Sequence, residues 1–119
     1  QGALLNEAYS LVQDGVVSAE EIDTIVKDGL GLRWSVVGPF ETVDLNTRGG
    51  IRKHAERMGT TYQQIGAERG TSTSWEPALI DLVESERRSK LPLKMWEDRV
   101  RWRDRAMMAV LIARRKFIG

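Results

Sequence analysis

The stretch ALLNEAYSLVQDGVVSAEEIDTIVKDG, residues 3–29, decides the fold class. It opens with Leu4, Leu5, Ala8, Leu11 and Val12 at i, i+1, i+4, i+7 and i+8, one apolar stripe on a helix. Gly15 follows Asp14 as the residue type on which helices commonly terminate, because it enters the left-handed region cheaply. Ser18-Ala19-Glu20-Glu21 then reads as a capping box, the Ser18 hydroxyl accepting from the Glu21 N–H and the Glu21 side chain reaching back. Glu20, Glu21 and Asp23 suit the positive end of the new helix dipole. Ile22, Ile25 and Val26 make its buried side, and Gly29 is expected to end it. Two helices joined by a turn of about four residues are expected to lie antiparallel.

Further along, Gly29-Leu30-Gly31-Leu32-Arg33-Trp34 reads as a loop that gathers backbone, a cation and an aromatic ring. Pro39, after Gly38, fits the first position of a third helix, with Phe40, Val43 and Leu45 able to point inward. Gly49-Gly50 breaks the chain again. A helix over 51–68 follows, in which Gly59, Thr60 and Thr61 suggest a break or kink. Residues 70–74 form a polar loop whose Ser74 suits the cap of a helix carrying Leu79, Ile80, Leu82 and Val83. Lys90-Leu91-Pro92 ends that helix, since the residue before proline avoids the helical region. Residues 93–117 are the longest helical stretch, with Trp96, Val100, Met107, Val110, Leu111 and Arg114 along one side. No segment alternates with period two long enough for a strand. The expectation is an all-α, compact bundle of about five or six helices ending in a long C-terminal helix.

The 119 residues fit one domain, 1–119. With 41% hydrophobic and 29% charged residues the chain is too apolar for a disordered segment, and no apolar run approaches a membrane span. The absence of Cys excludes disulfides, thiolate metal sites and a cysteine nucleophile. Gln1 stands where an initiator Met would, and helix patterning begins at once, so a preceding segment is expected. The net charge of +1 hides a division. Residues 1–85 carry 7 Lys/Arg against 13 Asp/Glu, and residues 86–119 carry 11 against 4. A basic tail after an acidic body suits nucleic acid, acidic lipid or another chain, and equally one half of the fold attracted to the other.

Few side chains group for chemistry. Gly29-x-Gly31 lacks the third glycine, the preceding strand and the following helix of a dinucleotide fingerprint, and reads as a helix terminator. Arg33, beside Trp34 and near the Pro39 helix, is a candidate to clamp a carboxylate, with a plain surface or capping arginine as the alternative. His54, the sole histidine, has Glu56 and Arg57 beside it in sequence but off its helix face, so it reads as an ordinary polar residue. No His or carboxylate set has metal-ligand spacing, and no metal is expected. Arg99, Arg101, Arg103 and Arg105 with Trp96 and Trp102 resemble a nucleic-acid surface on paper. Alternate helix positions diverge in direction, however, and Glu97, Asp98 and Asp104 dilute the charge. No nucleic-acid or membrane partner is expected.

Several segments in order carry a family resemblance: Leu5-Asn6-Glu7-Ala8, Leu11-Val12, Gly15-Val16-Val17-Ser18, Asp23-Thr24, Gly29-Leu30-Gly31 and Gly38-Pro39-Phe40-Glu41. Together they resemble the C-terminal domain of the NAD-dependent 3-hydroxyacyl-CoA dehydrogenase family. Arg101-Trp102-Arg103-Asp104 before a Met/Leu-rich helix narrows this toward the lambda-crystallin branch, which includes L-gulonate 3-dehydrogenase. The resemblance implies a cytoplasmic, two-domain oxidoreductase that acts on a 3-hydroxyacyl-CoA or a small 3-hydroxy acid such as L-gulonate. In the family an N-terminal Rossmann domain binds NAD and carries the catalytic His–Glu pair. No catalytic residue maps onto this chain and His54 does not match the catalytic His, so the chain alone is expected to be inactive. The helical domain closes the substrate cleft and dimerises. The resemblance places Arg33 at the substrate carboxylate, with Trp34 and Phe40 able to line the same cleft or, for Phe40, the core. The apolar face of the long C-terminal helix, with Met107, Met108, Val110 and Leu111, is the expected dimer contact. The alternative is a stand-alone helical interaction module with no catalytic activity.

Overall fold

The computed structural model describes residues 1–70 and 76–118, and among them there are helices and no strand. In chain order these are α1 (Gly2–Gln13), α2 (Ala19–Ile25), a π-helical turn (Val26–Leu30), α3 (Gly31–Trp34), α4 (Pro39–Asn46), α5 (Ile51–Glu68), α6 (Pro77–Lys90), a 3₁₀ turn (Leu93–Met95) and α7 (Trp96–Ile118). The all-α expectation holds, and so does the long last helix.

Local chemistry explains most boundaries. After α1, Gly15 takes φ +72°. Its N–H reaches Val12 O and that of Val16 reaches Leu11 O, each at 3.0 Å, the paired bonds of a Schellman terminus. Both halves of the capping box are made: Glu21 N–H to Ser18 Oγ at 3.1 Å and Ser18 N–H to Glu21 Oε1 at 3.2 Å. Pro39 opens α4 behind Gly38, and Leu91, extended before Pro92, closes α6. The Ser74 cap lies outside the described residues.

The structure corrects the sequence in four places. Residues 29–34 are not a loop. The helix begun at Ala19 continues through the π turn into α3, so Arg33 and Trp34 ride its last turn. Gly29 and Gly31 are therefore not left-handed terminators. Gly31 sits at φ −63° and donates to Val26 O, and a Cβ there would lie 2.8 Å from that oxygen. The widened turn needs a residue with no side chain at that point. Second, α5 runs unbroken past Gly59, which is buried on the same helix as Ile51 and His54. Third, Phe40 is 58% exposed, as its turn of α4 faces an open groove; Leu45 is the residue that fills the core. Fourth, Ile25 and much of the α1 stripe stay open to solvent, because no other element among the described residues covers them.

The core is small. Val37, Leu45 and Leu91 are buried, with Val36, Trp96 and Val100 packed on them, and Ile51 is buried at the start of α5. Along α7 the half-buried positions 96, 99, 100, 103, 106, 107, 110, 111 and 114 follow the helical repeat, so one side of α7 covers this core and then α3. The molecule is a slab of 40 × 40 × 20 Å with an accessible surface of 8562 Å². A monomer of 13.5 kDa ordinarily exposes about 6,500 Å².

Candidate functional site

α4 lines two neighbouring clefts. Its Thr42 hydroxyl donates to Gly38 O at 2.8 Å, tying down the first turn. Asp44, with no exposure, accepts the Ile51 N–H at 2.7 Å and so caps α5. The same carboxylate takes Arg87 Nε and Nη2, each at 3.3 Å, and the Arg88 guanidinium. Glu41, one turn earlier, takes Arg87 Nη2 at 3.0 Å and Arg99 through Nη2 at 3.0 Å and Nε at 3.2 Å. Burial pushes the Glu41 carboxyl up, but the hydrogen bonds and charges of Arg99 and Arg87 outweigh it and hold the group below its ordinary range. Arg99 also lies 3.6 Å over the Trp102 ring, and the Trp96 indole N–H reaches Asp44 O at 2.9 Å.

This network resolves the charge division. Arg87, Arg88 and Arg99 of the basic tail are held by Glu41 and Asp44 of the acidic body. Arg48 pairs with Glu97, and Arg114 with Asp28. In the arginine series, Arg101 pairs with Asp98 and Arg103 with Asp104. Part of the tail's charge is thus taken up within the fold, and the two buried carboxylates it holds, Glu41 and Asp44, are scaffolding.

A polar cleft of about 210 Å³ lies where α3, α4 and α7 meet, lined by Arg33, Val37, Thr42, Asn46, Arg103, Asp104 and Met107. Arg33 enters from the last turn of α3, exposed and without an ion pair among the described residues. Arg103 is different: its side chain is only 16% exposed and is held in place by Asn46 Oδ1 at 3.0 Å and by Asp104. Trp34 is 45% exposed and does not line this cleft.

On the neighbouring side of α4, Pro39, Phe40 and Val43 face an apolar groove of about 450 Å³ closed by α5 and α6. His54 and Tyr62 line it with ring centroids 5.8 Å apart. His54 is buried, and burial followed by the charge of Arg57 lowers its pKa. Phe40 thus belongs to the apolar groove and not to the Arg33 cleft. On α7, Met107, Val110 and Leu111 share the inward side, while Met108 is 55% exposed with Ile112 a turn further on at 52%. No group of three or more metal-ligating side chains converges among the described residues. No helix there is long and apolar enough to cross a membrane.

The family profile described as 3-hydroxyacyl-CoA dehydrogenase, C-terminal domain, matches residues 1–93, and the chain belongs to that family. A 3-hydroxyacyl-CoA dehydrogenase of Gibberella moniliformis is 33% identical over 98% of this chain and 37% of its own length. Lambda-crystallin of Oryctolagus cuniculus is 29% identical over 90% of the chain and 34% of its own length. An L-carnitine dehydrogenase of Oceanobacillus iheyensis is 43% identical over 48% of the chain and 19% of its own length. The chain spans about a third of the length of the first two. No solved structure matches.

Proposed function

We propose that this chain is the substrate-binding and dimerisation domain of an NAD-dependent dehydrogenase that oxidises the 3-hydroxyl carbon of a small 3-hydroxy acid or a 3-hydroxyacyl-CoA. The observation that carries the reading is Arg33: an exposed guanidinium without an ion pair among the described residues, at the mouth of a polar cleft, in a member of this family. A planar fork of donors suits a carboxylate. The relatives' names include both an acyl-CoA and L-carnitine, and the latter bears a free carboxylate. Arg33 favours an acid such as L-gulonate over a thioester.

The described residues do not fit NAD. Gly29-x-Gly31 lies inside a helix, with no strand before it to present a phosphate-binding turn. The cofactor and the catalytic pair belong to a separate Rossmann domain. The work of this domain is orientation, which contributes several kcal/mol to a barrier when reactants are correctly placed. Dimerisation through α7 is supported by a surface well above that of an ordinary monomer and by the exposed Met108 and Ile112. Met107, Val110 and Leu111, on the inward side, leave Met108 as the residue of that set available for the contact.

The test is Arg33→Ala in the protein that contains this domain. KM for an acidic substrate rises about tenfold or more, as expected for loss of a charge-assisted pair. Unchanged kinetics would remove Arg33 from the site and the acid from the reading.

A further inference from the structure

We infer that Arg103 is the second arm of the Arg33 cleft, a specificity-determining residue that grips the carboxylate of a small monoanionic acid end-on while Arg33 closes over it. The inference rests on the acid reading given above and names the residue that makes the cleft selective.

The argument starts from the donors of Arg103. A guanidinium carries five N–H groups, one on Nε and two on each Nη. Nε donates to Asp104 Oδ1 at 3.1 Å, Nη2 lies 3.0 Å from the same oxygen, and Nη1 donates to Asn46 Oδ1 at 3.0 Å. That leaves one N–H on each Nη unused among the described residues. The Nε/Nη2 edge is occupied by Asp104, so the proposed fork for a carboxylate is the Nη1/Nη2 end.

The support around this fork is what a binding arginine requires. Asn46 comes from α4 and Asp104 from α7, so two helices fix its plane. With its side chain only 16% exposed, Arg103 has already lost most of its rotamer freedom and most of its water. Arg33 has neither restraint: it is exposed, without an ion pair, and on the final turn of α3. The cleft therefore combines a guanidinium held in place with an exposed, unrestrained one.

Charge and size set the ligand. Arg33 and Arg103 contribute two positive charges and Asp104 one negative, which leaves the lining with a net of one positive charge. A monocarboxylate neutralises it, whereas a second carboxylate would face Asp104. At about 210 Å³ the cleft is smaller than the roughly 300–1,000 Å³ of sites for drug-sized molecules, so it holds an acid of a few heavy atoms and not a nucleotide. Thr42 and Asn46 offer polar atoms along the wall for a hydroxyl beside the acid group.

The experiment is an NMR titration of the protein that contains this domain with 3-hydroxybutyrate, following the side-chain Nε–H signals of Arg33 and Arg103. Wild type is expected to show saturable shifts at both. Arg103→Gln weakens binding tenfold or more, and Arg103→Lys, which keeps the charge but loses the fork, weakens it nearly as much. Thermal unfolding of each variant verifies that the fold is retained. Should Arg103→Gln disturb the fold, Arg103→Lys alone decides. Binding by Arg103→Lys equal to wild type overturns the end-on fork. A shift at Arg33 with wild-type affinity in Arg103→Gln overturns the role of Arg103 and leaves Arg33 as the carboxylate residue. No saturable shift at either arginine overturns both readings.

Discussion

Arg87 and Asp44, 43 residues apart in the chain, meet at 3.3 Å through both Nε and Nη2 at a carboxylate with no exposure at all. Arg87 carries the same Nη2 to Glu41 at 3.0 Å, so one guanidinium ties α6 to two positions of α4. Asp44 meanwhile caps α5 and receives Arg88. Four helices, counting α7 through Arg99, are joined at this knot of two carboxylates and three guanidiniums.

Removing Asp44 therefore leaves buried cations uncompensated and uncaps a helix. Asp44→Asn is expected to cost about 3–5 kcal/mol, the range for breaking one side of a buried ion pair. Glu97→Gln, at the exposed Arg48–Glu97 pair, is expected to cost less than about 1 kcal/mol. Urea unfolding of the two variants at one pH measures both, and equal losses would refute the knot as the anchor of the fold.

Stability should fall in two stages on acidification. His54 is held below its ordinary pKa by burial, so the unfolded chain takes up its proton first, and stability present above pH of about 6.5 declines as pH drops through that value. Glu41 is also held low in the fold, despite its burial, by Arg99 and Arg87. Its contribution is full above pH of about 4.3 and is lost as pH falls further. His54→Gln should flatten the first stage and leave the second, as read from unfolding midpoints between pH 8 and pH 3.

The π turn makes opposite forecasts for two nearby glycines. An Ala at position 31 would place its Cβ 2.8 Å from Val26 O, whereas position 29 has open space. Gly31→Ala is expected to destabilise by about 1–3 kcal/mol through overpacking. Gly29→Ala is expected to stabilise by about 0.4–1 kcal/mol by restricting the unfolded chain. Thermal unfolding of the pair is enough, and a stable Gly31→Ala would mean the π turn is not held by that contact.

Met108 tests the proposed dimer. It is the member of the α7 set left open by this chain's own packing, so Met108→Asp should shift sedimentation toward monomer with little change in helix content. A dimer that survives the substitution would move the interface off this side of α7.

Helix content, most ends of helices and the side of α7 that packs inward were legible because each rests on neighbours within a turn or two. Gly15, the Ser18–Glu21 box, Pro39 and Leu91-Pro92 act through backbone geometry and bonds of short sequence separation. Residues 29–34 look like a loop for an equally local reason: two glycines close together resemble a terminator. The π turn that uses Gly31 depends on a carbonyl approach visible only in three dimensions. In the sequence Arg103 is one of a row of tail arginines. What sets it apart is Asn46, 57 residues away, and no spacing rule signals such a partner.

The sequence by itself determined an all-helical chain, the Arg33 candidate and the opposed charges of its two parts, since period, caps and composition are properties of the chain. Only the tertiary structure decided what those charges do. Ion pairs such as Arg87–Asp44 and Arg99–Glu41 need α4, α6 and α7 packed together before any carboxylate can select its guanidinium. Arg33 remains without an ion pair among the described residues, beside an Arg103 already held in place. That arrangement comes from packing, because which cations stay free depends on which others the fold has already paired.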